Sequence, residues 1–204
     1  RGGCGVEKGG ILTDTNNTVM SYCCDRSRSI TWGIKGGLPS IPQGAILNPN
    51  TEDEEFLGTI FSNVEVKKGD SFTRPSAGGG GLGDPLERDI HAVLEDVIDE
   101  YVSIERAKLD YGVIIYEIDR DIDAFEVDYE ATLKEREYIR NNRCQWLEMD
   151  PHEVEGLYNA GVINQMDVVR RHGVIMDYKT NKVLPISTMQ YREEMKKRSL
   201  VFWA

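Results

Sequence analysis

The chain has 204 residues, 40% of them apolar and 29% charged, with a formal net charge of −11. That is ordinary globular usage, with length for one sizeable core or two small ones. No apolar run approaches the roughly 20 residues that a membrane-spanning helix needs, so no membrane partner is expected.

The acid excess is local. From residue 84 to residue 130 there are 16 acidic and 4 basic residues, a net −12. Such a stretch repels phosphate backbones, so no nucleic-acid partner is expected either. It reads as a solvated helical face or as a docking surface for a basic partner subunit. Four cysteines, two of them adjacent at Cys23 and Cys24, do not form a disulfide framework, and reduced thiols of a cytoplasmic protein are expected.

In chain order, residues 1–76 read as β-rich and punctuated by glycine. Ile11-Leu12 and Thr18 to Tyr22 flank Asp14-Thr15-Asn16-Asn17, the pattern of a hairpin turn. Phe56 to Phe61 and Val64 to Val66 are further strand candidates, with a turn at Lys68-Gly69-Asp70. Between them, Trp32 to Pro49 is rich in glycine and proline and lacks a period, as expected of an ordered loop in which backbone packs on backbone.

Four consecutive glycines come next, Gly78 to Gly81, and then Leu82-Gly83-Asp84-Pro85. Ordering such a run costs roughly 0.5–1 kcal/mol per glycine relative to alanine, so it marks positive φ or close approach of another group. Asp84 at an N-cap and Pro85 at the first helical position start a helix. A glycine loop entering a helix N-terminus can hold an anion, which makes Gly78, Gly80, Gly81 and Gly83 candidates for approach by a phosphate. Gly78, Gly80 and Gly83 also fit G-x-G-x-x-G, but the preceding Lys67 to Ser76 is polar and interrupted by proline where that fingerprint needs a buried strand. Asp84 and Glu87 would stand where phosphates should go. The competing reading is a structural corner.

Beyond the run the period changes. Leu86, Ile90, Val93, Leu94, Val97, Ile98 and Tyr101 fall three and four apart, an amphipathic helix of about four turns. Ser103 caps a short helix through Tyr111, and Gly112 is placed to stop it. Val113 to Tyr116 with Ile118 is a strand, succeeded by a charged linker from Glu117 to Asp128. The aspartates from Asp119 to Asp123 have the alternation of a calcium loop without its glycine and closing glutamate. A long polar helix from Tyr129 to Met149, a helix from Glu153 to Asn159, a hairpin about Thr180-Asn181 and a helix from Ser187 to Arg198 complete the reading. The apolar end Leu200-Val201-Phe202-Trp203 is expected to dock on another surface. His91, His152 and His172 have no metal-ligand neighbour at helical spacing, and no nucleophile or Walker motif is present, so no catalytic residue and no metal ligand is assigned.

The order of motifs carries a resemblance. Gly78 to Asp89 (G-G-G-G-x-G-D-P-L-x-R-D), Leu94-Glu95-Asp96-Val97, Tyr101-Val102-Ser103 and Asp110-Tyr111-Gly112-Val113-Ile114 resemble the C-terminal part of hydantoinase B/oxoprolinase family subunits. Upstream, Arg1-Gly2-Gly3, Trp32 to Gly37, Leu47-Asn48-Pro49 and Lys68-Gly69-Asp70 fall in that family's order. The end of the chain, from Arg171 to Glu193, resembles the longer tails of acetone and acetophenone carboxylase-type members. Cys4 and the Cys23-Cys24 pair depart from the family pattern.

The resemblance implies an α+β piece of a larger subunit. Residues 1–83 would be the β-rich part of the hydantoinase B-like domain and residues 84–118 its helix-helix-strand end. Residues 119–204 would be a mainly helical C-terminal extension. It further implies an ATP-dependent hetero-oligomeric enzyme in which a hydantoinase A-like subunit drives phosphorylation of a carbonyl or enolate oxygen. ATP and a divalent metal are implied for the whole complex, with the metal ligands upstream of this segment. The tail favours carboxylation of a ketone; ATP-dependent hydrolysis of a cyclic amide and a purely structural assembly role are the alternatives.

Overall fold

The structure, a computed structural model, describes residues 1–26 and 30–198. The first six strands are β1 (Glu7–Ile11), β2 (Thr18–Cys23), β3 (Ala45–Leu47), β4 (Glu55–Gly58), β5 (Ile60–Val66) and β6 (Ser71–Pro75). β1 does not pair with β2. Instead β1 runs antiparallel to β6, with Gly9 opposite Thr73, and β2 runs antiparallel to β5, with Met20 opposite Val64. The expected hairpin about residues 14–17 is therefore a bend joining two lengths of one ribbon. Opposite it the second length of the ribbon bends as well, at Lys67 to Asp70, where Gly69 has φ +96° and the Asp70 carboxylate accepts from the Lys67 amide at 2.9 Å. Its local hydrogen bonds set the register, and Leu12 matches it by bonding both Gly69 and Asp70 at 2.8 Å.

The largest sheet has the order β1-β6-β3-β4. β3 lies inside the segment read as a loop; three residues among glycine and proline are too few to show a period. β6 forms directly before the glycine run, despite its polar sequence and Pro75, because it pairs on both sides. β4 and β5 are divided at Gly58, whose φ of +83° turns the chain.

The second half holds α1 (Ile90–Ile98), α2 (Ile104–Tyr111), β7 (Ile114–Asp119), β8 (Ala124–Asp128), α3 (Tyr129–Glu148), α4 (Pro151–Asn159), α5 (Gln165–Arg170), β9 (Met176–Asp177), β10 (Lys182–Val183) and α6 (Pro185–Arg198). Fold class agrees with the sequence: strands first, helices after. The four-turn helix expected from Leu86 is divided. Asp84 caps a single 3-10 turn at Pro85–Glu87, and Asp89 then caps α1 by accepting from the Ala92 amide at 3.0 Å. Each aspartate draws the next free amides to itself, which breaks one helix into two.

The charged linker is a hairpin: β8 pairs with β7, Val127 opposite Ile115 and Phe125 opposite Glu117, with Asp123 left-handed at the turn. Strong charge interleaved with the apolar residues hid the strand period. α5 was not legible either; six residues opened by Asn164, which accepts from the Asp167 amide, are too short for a stripe. The apolar end at residues 200–203 lies outside the described residues.

Apolar burial is concentrated in the helical half. Val93, Val97, Val102, Ala107, Val113 and Ile115 form one cluster, flanked by Phe125 and Val127. Leu147, Val169, Ile175, Tyr191 and Met195 form a second, into which Ile30 and Trp32 reach from the N-terminal half. Val154, Val168, Val174, Met176 and Val183 form a third.

Candidate functional site

The glycine run is crossed by two other stretches of backbone. A Cβ on Gly78 would stand 2.5 Å from the Gly3 carbonyl oxygen, and one on Gly80 would stand 1.9 Å from that of Trp32. The crossing strands are as bare: Cβ atoms on Gly2 and Gly37 would lie 2.2 and 2.1 Å from the oxygens of Gly79 and Gly81. Gly83 has φ +78°, which suits glycine. Gly81 differs, since the nearest atom to its Cβ position is 3.5 Å away.

Three amides of this corner are tied to carbonyls. Gly79 donates to Gly3, Gly81 to Leu38 and Gly83 to Ile34, each at 2.9 Å, and Ile34 donates back to Gly81 at 2.9 Å. A phosphate cradle needs such N–H groups aimed outward. The next element is one 3-10 turn whose N-terminus is filled by the Asp84 carboxylate, with Glu87 beside it. Both carboxylates oppose an anion at that N-terminus. The described residues do not fit a divalent metal, since no group of three or more His, Cys, Asp or Glu side chains is arranged to hold one. His91 and His152 are exposed. His172 is buried, its Nδ1 3.0 Å from the Trp146 carbonyl, and burial pushes its pKa below the ordinary value.

Beside the corner lies a half-open cleft of about 780 Å³. Arg1, Arg88, Arg106 and Arg170 line it, and each is tied to a carboxylate. Asp96 is held by Arg1 at 2.9 Å and Arg88 at 2.6 Å. Asp110 is held by Arg106 and by Arg170, the latter at 2.6 Å. Arg106 also reaches Asp167 at 2.9 Å, and Arg170 donates to the Pro39 carbonyl at 3.2 Å. Arg1 lies over the Tyr101 ring, 4.2 Å from its centre, a cation–π contact. Burial lowers the Arg106 pKa, yet Asp110 and Asp167 outweigh it and leave the guanidinium raised. The corner is braced outside as well, by Arg143 on Asp84 at 2.8 Å and Arg140 on Glu87 at 2.5 Å.

Sequence reasoning missed this network. One of its pairs, Arg106 with Asp110, carries helical spacing and was open to discovery, while Arg88 and Asp96 are eight residues apart with Arg88 ahead of the α1 cap. The others join residues about 60 to 130 apart in sequence and leave no local signal.

Residues 1–85 match the model of the family described as Hydantoinase B/oxoprolinase. The chain's relatives include an uncharacterized protein of Methanocaldococcus jannaschii, 34% identical across 67% of this chain and 23% of the relative. A putative D-/L-hydantoinase B-type subunit from a Pseudomonas species is 30% identical across 65% of this chain and 21% of the relative. The acetone carboxylase alpha subunit of Xanthobacter autotrophicus is 25% identical across 70% and 22%. Among solved structures, the ATP-dependent caprolactamase from Pseudomonas jessenii superposes with a TM-score of 0.50 at 27% identity, over 65% of this chain and 22% of that one. The chain thus spans less than a quarter of the length of these proteins.

Proposed function

We propose that this segment is the scaffold end of a hydantoinase B-like subunit in an ATP-dependent enzyme that opens a cyclic amide. What supports amide opening is that the hydantoinase-type relative and the caprolactamase are each more similar in sequence to this chain than the acetone carboxylase subunit is. Gly78, Gly80, Gly81 and Gly83 are read as a structural corner, because the Gly81 and Gly83 amides donate to crossing carbonyls and a side chain on Gly78 or Gly80 would strike crossing backbone. The nucleotide and the divalent metal implied by the family would then be held elsewhere, by the rest of the subunit and by a hydantoinase A-like partner in a hetero-oligomer.

Ketone carboxylation is the second reading. It is favoured by the acetone carboxylase alignment, which covers a slightly larger share of this chain than the alignment with the hydantoinase-type relative does. The intact enzyme with its partner subunit, supplied with ATP, labelled bicarbonate and either a lactam or a ketone, separates the two. Nucleotide-dependent ring opening without label uptake is the expected result. Label appearing in an acid product, with the lactam untouched, establishes carboxylation instead.

A further inference from the structure

The β7–β8 hairpin has two unlike faces. Ile115, Phe125 and Val127 turn inward onto α1 and α2, where they complete a core cluster. Tyr116, across the pair from Glu126, is 53% exposed, Ile118 is 64% exposed and Ile122 at the turn is 73% exposed. A two-stranded ribbon seldom keeps three large apolar residues on its open face and tip. From residue 117 to residue 126 there are five carboxylates and one arginine. That arginine, Arg120, is already engaged by Glu100 and by Glu117. The apolar residues therefore sit in a collar of uncompensated negative charge.

We propose that this face docks a cationic surface of a protein subunit, with Tyr116, Ile118 and Ile122 as anchors and Asp119, Asp121 and Asp123 as the surrounding collar. Charge selects the occupant. A second copy would bring the same collar against its own likeness, and anionic lipid or nucleic acid would be repelled in the same way. A lysine- or arginine-rich face with an apolar centre satisfies both parts of the surface, the arrangement of anchors within a polar rim.

The proposal rests on the hetero-oligomeric reading above, and its test keeps the two apart. The intact subunit is titrated with the separately expressed hydantoinase A-like subunit of the same enzyme, at low and at high salt. The variants are Tyr116→Ser/Ile118→Ser/Ile122→Ser, and Asp119→Asn/Asp121→Asn/Asp123→Asn. Asparagine keeps the cap that Asp119 gives the Asp121 amide and tolerates the left-handed turn at Asp123. A control, Val19→Ser/Ile60→Ser, removes exposed apolar residues from the β2–β5 ribbon. The anchor variant is expected to raise the Kd by about tenfold or more. The collar variant is expected to flatten its salt dependence, and the control to bind as wild type, all with unchanged melting temperatures. A complex that forms with the same Kd and salt slope in every variant overturns the docking face alone. A wild-type subunit that forms no complex overturns the hetero-oligomeric reading, and the docking face with it.

Discussion

The carbonyl oxygen of Trp32 occupies the place where a side chain on Gly80 would begin, 1.9 Å from the Cβ position. Three residues of separation in the same run change the case, since Gly83 has open space about its Cβ position but a φ of +78°. Gly81, between them, has neither constraint. Gly80→Ala in the intact subunit should therefore destabilise by about 3 kcal/mol or more, or yield no soluble protein, because backbone must move. Gly81→Ala should melt within about 1 kcal/mol of wild type. Its nucleotide affinity in the assembled enzyme should be unchanged. A stable Gly81→Ala enzyme with a raised nucleotide Kd would show that a phosphate sits at the corner after all.

Asp110 lies between two guanidinium groups on different elements, Arg106 on its own helix and Arg170 on α5, with its side chain only 6% exposed. Removing one partner from a buried set strands the others. Asp110→Ala should cost about 3–5 kcal/mol, as for other broken buried pairs. Arg170→Met, which leaves Asp110 with Arg106 and keeps the aliphatic stem, should cost less. Denaturant melts of the two variants check the order, and equal losses would mean that the network stands or falls as one unit.

These pairs also show where sequence reading stopped. α2 was legible to its caps, Ser103 and Gly112, because cap and stop are local chemistry. The pairing of β1 with β6 was not, because polar, glycine-rich strands have weak register signals of their own and take their partners from distant turns. The glycine run announced a constraint but not its source: it took three crossing backbones, from residues 2–5, 32–38 and 78–83, to show that Gly78 and Gly80 are bare for different neighbours. The ion pairs of the cleft are contacts across the fold, and only the helical pair Arg106 with Asp110 left a trace in spacing.

Asp84 does two things with one carboxylate. It accepts from the Leu86 amide at 3.0 Å, as a cap, and from Arg143 at 2.8 Å, with 3% of its side chain exposed. A cap alone is worth about 0.5–2 kcal/mol. Loss of a buried ionic partner adds to that, so Asp84→Ala should cost about 3–5 kcal/mol. Asp84→Asn keeps the cap and gives up the charge, so its cost should fall between wild type and alanine. Thermal or urea melts of the pair measure the two roles separately, and an asparagine variant as damaged as alanine would assign nearly all of the effect to the ion pair.

His172 supplies the acid limit of the helical half. Its Nδ1 faces the Trp146 carbonyl at 3.0 Å, which requires that nitrogen to carry the proton in the neutral ring. Burial lowers its pKa from 6.5, Arg171 and Arg192 lower it further, and the Trp146 bond and Asp167 only partly oppose them. A histidine depressed in the folded state binds its proton more readily when unfolded. Its contribution to stability is therefore intact above pH 6.5 and is lost as pH falls below that value. His172→Asn keeps an N–H donor for the Trp146 carbonyl without the titrating ring. Wild type should lose stability steadily between about pH 6.5 and 5, and the variant should lose less over that interval. The exposed His91 and His152 are common to both proteins and cancel. Unfolding free energies at matched pH values decide the matter, and parallel curves would place the acid limit on another group.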